Sequence, residues 1–119
     1  MTGAWLAVIL AVNDGDTFRA RLEVWPGVEV TTAVRIAGID TPEIKGKCAS
    51  ERERAILARE RLRALLALGP VEVREVTLDK YAGRVDAFVV AGGRPVGEVL
   101  VQEGLARPYS GGARAGWCP

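Results

Sequence analysis

The stretch Asn13-Asp14-Gly15-Asp16-Thr17-Phe18-Arg19-Ala20-Arg21-Leu22-Glu23-Val24-Trp25 reads as a tight turn running into a strand. Asn and Asp bond their own local backbone and Gly is free at φ, so the first three residues favour a turn. After them Phe18, Ala20, Leu22 and Val24 alternate with Arg19, Arg21 and Glu23, the period of a strand with one buried face. The apolar run Ala4 to Val12 lies upstream, and Val8 to Val12 is the strand that folds back across the turn. Pro26-Gly27 turns the chain again, and Val28 to Ile39 follows as a third strand, which predicts an antiparallel meander.

From Ser50 to Leu68 the period becomes helical. Ala55, Ala58, Leu62 and Leu65 form one apolar stripe among Arg and Glu, and Gly69-Pro70 ends the helix. Ser50 with Glu53 offers a capping box, although Cys48 or Ala49 can equally lie in the first turn. Val71 to Leu78 and Arg84 to Val90 are two more strands joined by the Asp79 to Gly83 loop. Ala91-Gly92-Gly93 turns the chain, a short helix spans Val96 to Gln102, and Ser110 to Gly116 reads as loop. The plan is α+β, mainly β: a five-stranded OB-fold barrel with a helix between strands 3 and 4 and a short helix after strand 5, one domain over residues 1–119.

A chain of 119 residues buries a real core without a metal or disulfide staple. The net charge of +1 supplies no global field, so any attraction to phosphate must come from a local cluster. The absence of histidine excludes more. It removes the commonest general base, every His-containing zinc site and every Ser-His or Cys-His nucleophile pair. Two cysteines are too few for a Cys-only zinc site. Proton transfer in such a chain falls to carboxylates, Lys or Tyr, and a metal would be held by oxygen. Ala4 to Val12 has no basic segment before it, no cleavage region after it and too few residues to span a bilayer. It is therefore read as a strand, with no signal peptide in this chain and no membrane partner.

Three stretches carry chemistry: Asp14-Gly15-Asp16-Thr17, Arg35 leading to Asp40-Thr41-Pro42-Glu43, and Asp79-Lys80-Tyr81-Ala82-Gly83-Arg84. Taken singly, an Asp opening a strand or standing before a proline is ordinary turn chemistry. Together they hold carboxylates for a hard cation, a further carboxylate to take a proton from water, and guanidinium groups to grip phosphate. In order and spacing, from about Val8 to Tyr109, the set resembles the staphylococcal nuclease (thermonuclease) family, OB-fold enzymes that cut phosphodiester bonds with calcium.

The resemblance implies a calcium-dependent nuclease acting on DNA and/or RNA as a monomer. Asp16, Asp40 and the Thr41 carbonyl would hold Ca2+, an all-oxygen set that leaves room for water and phosphate. Glu43 would act on the attacking water, as base or as orienting group. Arg35 and Arg84 would stabilise the five-coordinate phosphorus, and the product would carry a 3′ phosphate. Lys80 and Tyr81 would touch a neighbouring phosphate, and Tyr109 is either a stacking surface for a base or packing for the C-terminal segment. Asp14 belongs to the turn or stands just behind the metal ligands. Relatives often read Asp-Lys-Tyr-Gly-Arg, so the additional Ala82 bears on where Arg84 falls. The rival function is a non-catalytic OB-fold module that binds nucleic acid or protein; a purely structural interaction domain would leave the site residues unexplained.

Cys48 and Cys118 are either two reduced thiols in a cytosolic protein or a bridge tying the helix start to a Gly-rich tail that has little else to hold it. Trp117 would help anchor the tail by packing. The bridge is the favoured reading, and with it an extracellular or periplasmic location.

Overall fold

Backbone pairing spreads outward from the Asn13 to Asp16 turn in a computed structural model that describes residues 3–81 and 83–119. Strand β1 (Ala4–Val12) runs into the turn, and β2 (Thr17–Trp25) and β3 (Val28–Ile36) follow. A two-residue strand, β4 (Ile39–Asp40), precedes helix α1 (Ala49–Leu66). Then come β5 (Val71–Leu78), β6 (Arg84–Ala91), the short β7 (Arg94–Pro95), helix α2 (Val96–Gln102) and the short β8 (Arg107–Pro108).

β2 pairs antiparallel with both β1 and β3, β1 pairs on its other side with β5, and β5 pairs with β6. β6 then runs parallel to β3, with Ala33 opposite Arg84 and Ile36 opposite Ala87, which closes the five long strands into a barrel. The register of β1 and β2 shifts at Leu10 and Val24, and that of β5 shifts around Glu75, whose φ of 52° is left-handed. Such bulges sharpen strand twist and bend, which closure of a small barrel needs.

The alternation in β2 is the division between barrel interior and solvent. Phe18, Ala20 and Leu22 are buried, while Arg19, Arg21 and Glu23 are exposed. The α1 stripe of Ala55, Ala58, Leu62 and Leu65 is buried as expected, and Leu62 and Leu65 join Ile36, Val73, Val89 and Leu100 in one core. On β1 the other face stays open to water: Leu6, Val8 and Leu10 are about half exposed. Trp25, at the far tip of the β2–β3 hairpin, is 70% exposed.

Local boundaries differ from the sequence reading in several places: β1 begins at Ala4 rather than Val8 and β6 runs to Ala91 rather than Val90. The third strand stops at Ile36, because Ile36 and Ala37 give their N–H groups to Asp16 O and Ala87 O and Gly38 then turns the chain at φ 82°. Helix α1 starts at Ala49, with Cys48 in the N-cap position and no side-chain cap. Ser50 and Glu53 therefore form no capping box; Glu51 instead reaches back to accept the N–H groups of Glu43 and Lys47 at 3.1 and 3.3 Å. The helix ends at Leu66 rather than Leu68, where Ala67 and Leu68 make tighter bonds to Ala64 O and Leu65 O.

The tail after β8 has no regular structure, and Cys118 is joined to Cys48 across a separation of 70 residues with Cα atoms 6.0 Å apart. β8 pairs with β4, placing Arg107 opposite Asp40. Trp117 is buried, with the Arg107 and Arg54 guanidinium carbons 3.5 and 5.3 Å from its ring centroid. A crosslink closing so long a loop stabilises through unfolded-chain entropy by about 4 kcal/mol. Cys118→Ser should lower unfolding free energy in urea by roughly that amount. A loss below about 1 kcal/mol would mean that Trp117 and Arg107 hold the tail almost as well without the bond.

Candidate active site

Asp16 is delivered by a close approach that only glycine permits. A Cβ on Gly15 would stand 2.7 Å from the Ala58 Cβ and 3.1 Å from the Thr41 Cβ, so the turn is seated directly on α1 and on Thr41. Asp16 N–H donates to Asp14 Oδ1 at 3.1 Å, and Thr17 Oγ1 donates to Asp16 Oδ1 at 3.0 Å. Asp16 Oδ2 faces Arg35 Nη2 at 3.7 Å. Burial, and after it the neighbouring Asp16 charge, pushes the Asp14 carboxyl up to about 7. Two carboxylates this close resist ionising together, and a cation beside them would relieve the conflict.

Arg35 emerges between the buried Val34 and Ile36 on the opposite face of β3. Its guanidinium donates to Ile36 O at 3.3 Å and Ile39 O at 3.0 Å, so it braces the β3–β4 turn as well as facing the cleft. Asp40 and Thr41 follow at the end of β4, only 3% and 2% exposed, and Glu43 lies beyond them in solvent. A cleft of about 490 Å³ gathers Asp14, Asp16, Arg35, Thr41, Glu43, Tyr81 and Arg84 on its walls. Asp40 lies behind those walls, with both carboxylate oxygens occupied.

The occupants come from the tail. Trp117 Nε1 donates to Asp40 Oδ2 at 3.2 Å, and Arg114 Nη2 donates to Asp40 Oδ1. The same guanidinium donates to Glu43 Oε1 at 3.0 Å and reaches Thr41 O at 3.5 Å. Sequence reading left Ser110 to Gly116 as plain loop and missed Arg114. The one available signal was that Arg114 is the only charged residue after Arg107, four residues before a cysteine.

A second cleft of about 480 Å³ shares Arg35, Tyr81, Arg84 and Arg114 with the first and adds Lys80, Asp79, Asp86 and Tyr109. Arg84 Nε donates to Asp79, and its guanidinium carbon lies 5.0 Å from the Tyr81 ring centroid, beside Lys80 Nζ at 5.4 Å. Burial pushes the Asp79 carboxyl up, but the bonds from Arg84 and Tyr81 N–H outweigh it and hold it below the usual range. Burial and the Asp79 charge raise Asp86, whose buried Oδ1 has no hydrogen-bond partner among the described groups. Tyr109 ties the tail, its hydroxyl donating to Gly112 O at 2.6 Å, and its ring stands 5.9 Å from the Arg35 guanidinium carbon on the cleft wall. Ala82 lies outside the described residues; Arg84 lines both clefts whatever its effect.

All-oxygen donors are the type a hard cation takes. Two of the expected ligands, Asp40 and the Thr41 carbonyl, accept the positive guanidinium of Arg114, and Asp16 and Thr41 line the same cleft. Among the described residues, a tighter grouping of ligand-type atoms joins Cys48, Glu51 and Cys118 within 4.8 Å, but both sulfurs are spent in the disulfide. An apolar cleft of about 390 Å³ under α2 carries a single titratable residue, Glu98, and is remote in character from this chemistry.

A closed five-stranded barrel with two helices and a charged cleft at one edge is an OB-fold domain of nuclease type. The family model described as staphylococcal nuclease homologue matches residues 33–115, and the chain belongs to that family. The matched span takes in Arg35, Asp40, Thr41, Glu43, Arg84, Tyr109 and Arg114, whereas Asp16 precedes it. No curated protein matches the chain. No described helix is long and apolar enough to cross a membrane.

The seating of the turn can be tested without substrate. Gly15→Ala should cost about 1–3 kcal/mol by overpacking against Ala58 and Thr41. A double-mutant cycle with Ala58→Gly should recover part of that loss beyond additivity, although the helical glycine itself costs about 1 kcal/mol. Additive losses in urea denaturation would mean that the turn is not pressed against α1.

Proposed function

We propose that the chain is a calcium-dependent nuclease that hydrolyses phosphodiester bonds in DNA and/or RNA. The observation that carries the reading is one cleft lined by Asp16, Thr41 and Glu43 together with Arg35 and Arg84, with Arg35 Nη2 3.7 Å from Asp16 Oδ2. Asp16, Asp40 and the Thr41 carbonyl are the proposed holders of calcium, which when bound would neutralise and fix the phosphate. Glu43 is exposed and can accept a proton from a water beside it once its contact with Arg114 opens. Arg35 and Arg84 offer planar N–H donors where negative charge builds on the phosphoryl oxygens. The basic second cleft, with Lys80, Tyr81 and Tyr109, supports a path for the flanking strand. A cleft of this kind gives a chain with a net charge of only +1 a local attraction for polyanions.

Digestion of DNA or RNA should require added calcium and stop with excess chelator. Full cleavage in excess chelator would remove the calcium reading, whereas no calcium-dependent cleavage of any DNA or RNA would favour a binding module. Glu43→Gln should lower turnover at least roughly a hundredfold while substrate still binds. Near-normal turnover in that variant would shift the proton transfer to another group.

A further inference from the structure

Arg114 touches the groups the cleft would need for work: Asp40 Oδ1, Glu43 Oε1 at 3.0 Å and Thr41 O at 3.5 Å. Its charge is also felt by Asp16. Asp40 is almost fully buried, while the Arg114 side chain is 40% exposed, so the guanidinium lies over the carboxylate from the solvent side and can withdraw into water. The segment that carries it lies between two anchors. Upstream, β8 pairs with β4, and Tyr109 N–H donates to Gly38 O at 2.9 Å. Downstream, Trp117 is bonded to Asp40 and Cys118 to Cys48. Between them, Gly111, Gly112 and Gly116 leave the backbone adaptable, and the few ties are single bonds such as Arg107 Nη1 to Gly116 O at 2.9 Å.

We infer that Arg114 is an internal counter-cation, presented by a disulfide-latched tail, that competes with the metal for Asp40 and Thr41 and covers Glu43 until it is displaced. The inference rests on the calcium reading above. A divalent cation on Asp40 would sit within a few ångströms of the guanidinium, and two like charges cannot share one buried carboxylate cheaply. The apparent metal affinity is then the intrinsic affinity multiplied by the fraction of molecules with Arg114 swung out. The Cys48–Cys118 bond sets that fraction, because it keeps the arginine at high effective concentration over its target. A dithiol reagent unlatches it by passing two electrons and two protons to the bond, leaving two protein thiols and a cyclic disulfide on the reagent.

Calorimetric titration with calcium alone, in the absence of nucleic acid, tests the idea on the whole chain. Arg114→Ala and Arg114→Gln should each bind calcium at least about tenfold more tightly than the parent. Reduction should tighten binding by the parent and leave the Arg114 variants unchanged. Equal or weaker binding by both folded variants would overturn the inference while leaving the calcium site standing. So would a reduction effect of the same size with and without Arg114. Absence of calcium binding in parent and variants alike would overturn the calcium reading itself, and the competition with it.

Discussion

The parallel seam between β3 and β6 is the constraint on which the rest of the molecule depends. It closes the barrel, and it does so where Arg35 lies opposite Asp86 and Ala33 opposite Arg84. The two arginines, 49 positions apart in the chain, become neighbours on one cleft because the sheet has no other way to close. The same seam extends to the first turn, where Ile36 N–H donates to Asp16 O at 2.8 Å. Beyond Ile36 the chain can only turn, and the turn carries Asp40 and Thr41 beneath Gly15.

Electrostatics at this edge is a matter of crowding. Asp14, Asp16 and Glu43 line one cleft with Asp40 bound by Arg114 beside it, Asp79 and Asp86 line the other, and Arg35, Arg84 and Arg114 line both. Each arginine is held by protein acceptors, so the cleft keeps its cations in fixed positions and loses little conformational entropy when an anion arrives. The protonated tendency of Asp14 and the orphaned oxygen of Asp86 mark where the balance of charge is incomplete. Such imbalance concentrates where a protein handles ions.

Much of this was legible in the sequence because local rules and the fold agree there. The strict alternation in Phe18 to Val24 fixed which face of β2 is core, and β5 and α2 have the bounds that their flanking turn residues announce. The boundaries that moved are those set by distant partners. Ile36 ends its strand because of Asp16 and Ala87, and α1 starts at Ala49 without a side-chain cap while Glu51 turns to the loop N–H groups of Glu43 and Lys47. The candidate site was legible as types of residue at recognisable spacing. Arg114 was not, since nothing local to Gly-Gly-Ala-Arg-Ala-Gly says that the chain doubles back 74 positions to Asp40. Only the crosslink and the indole of Trp117 convey that, and both act through space.

Trp117 gives the protein a built-in optical gauge. Of its three indoles, Trp25 is open to water at the hairpin tip and Trp5 is partly buried against the core, while Trp117 is buried, bonded to Asp40 and covered by two guanidinium groups. Emission from the first two is set by surroundings remote from the cleft in the chain's design. Emission from the third depends on a carboxylate neighbour and on cations over its π face, whose charges shift the energy of the excited indole. The state of the tail is thus written into the intrinsic colour of the molecule, readable without a label.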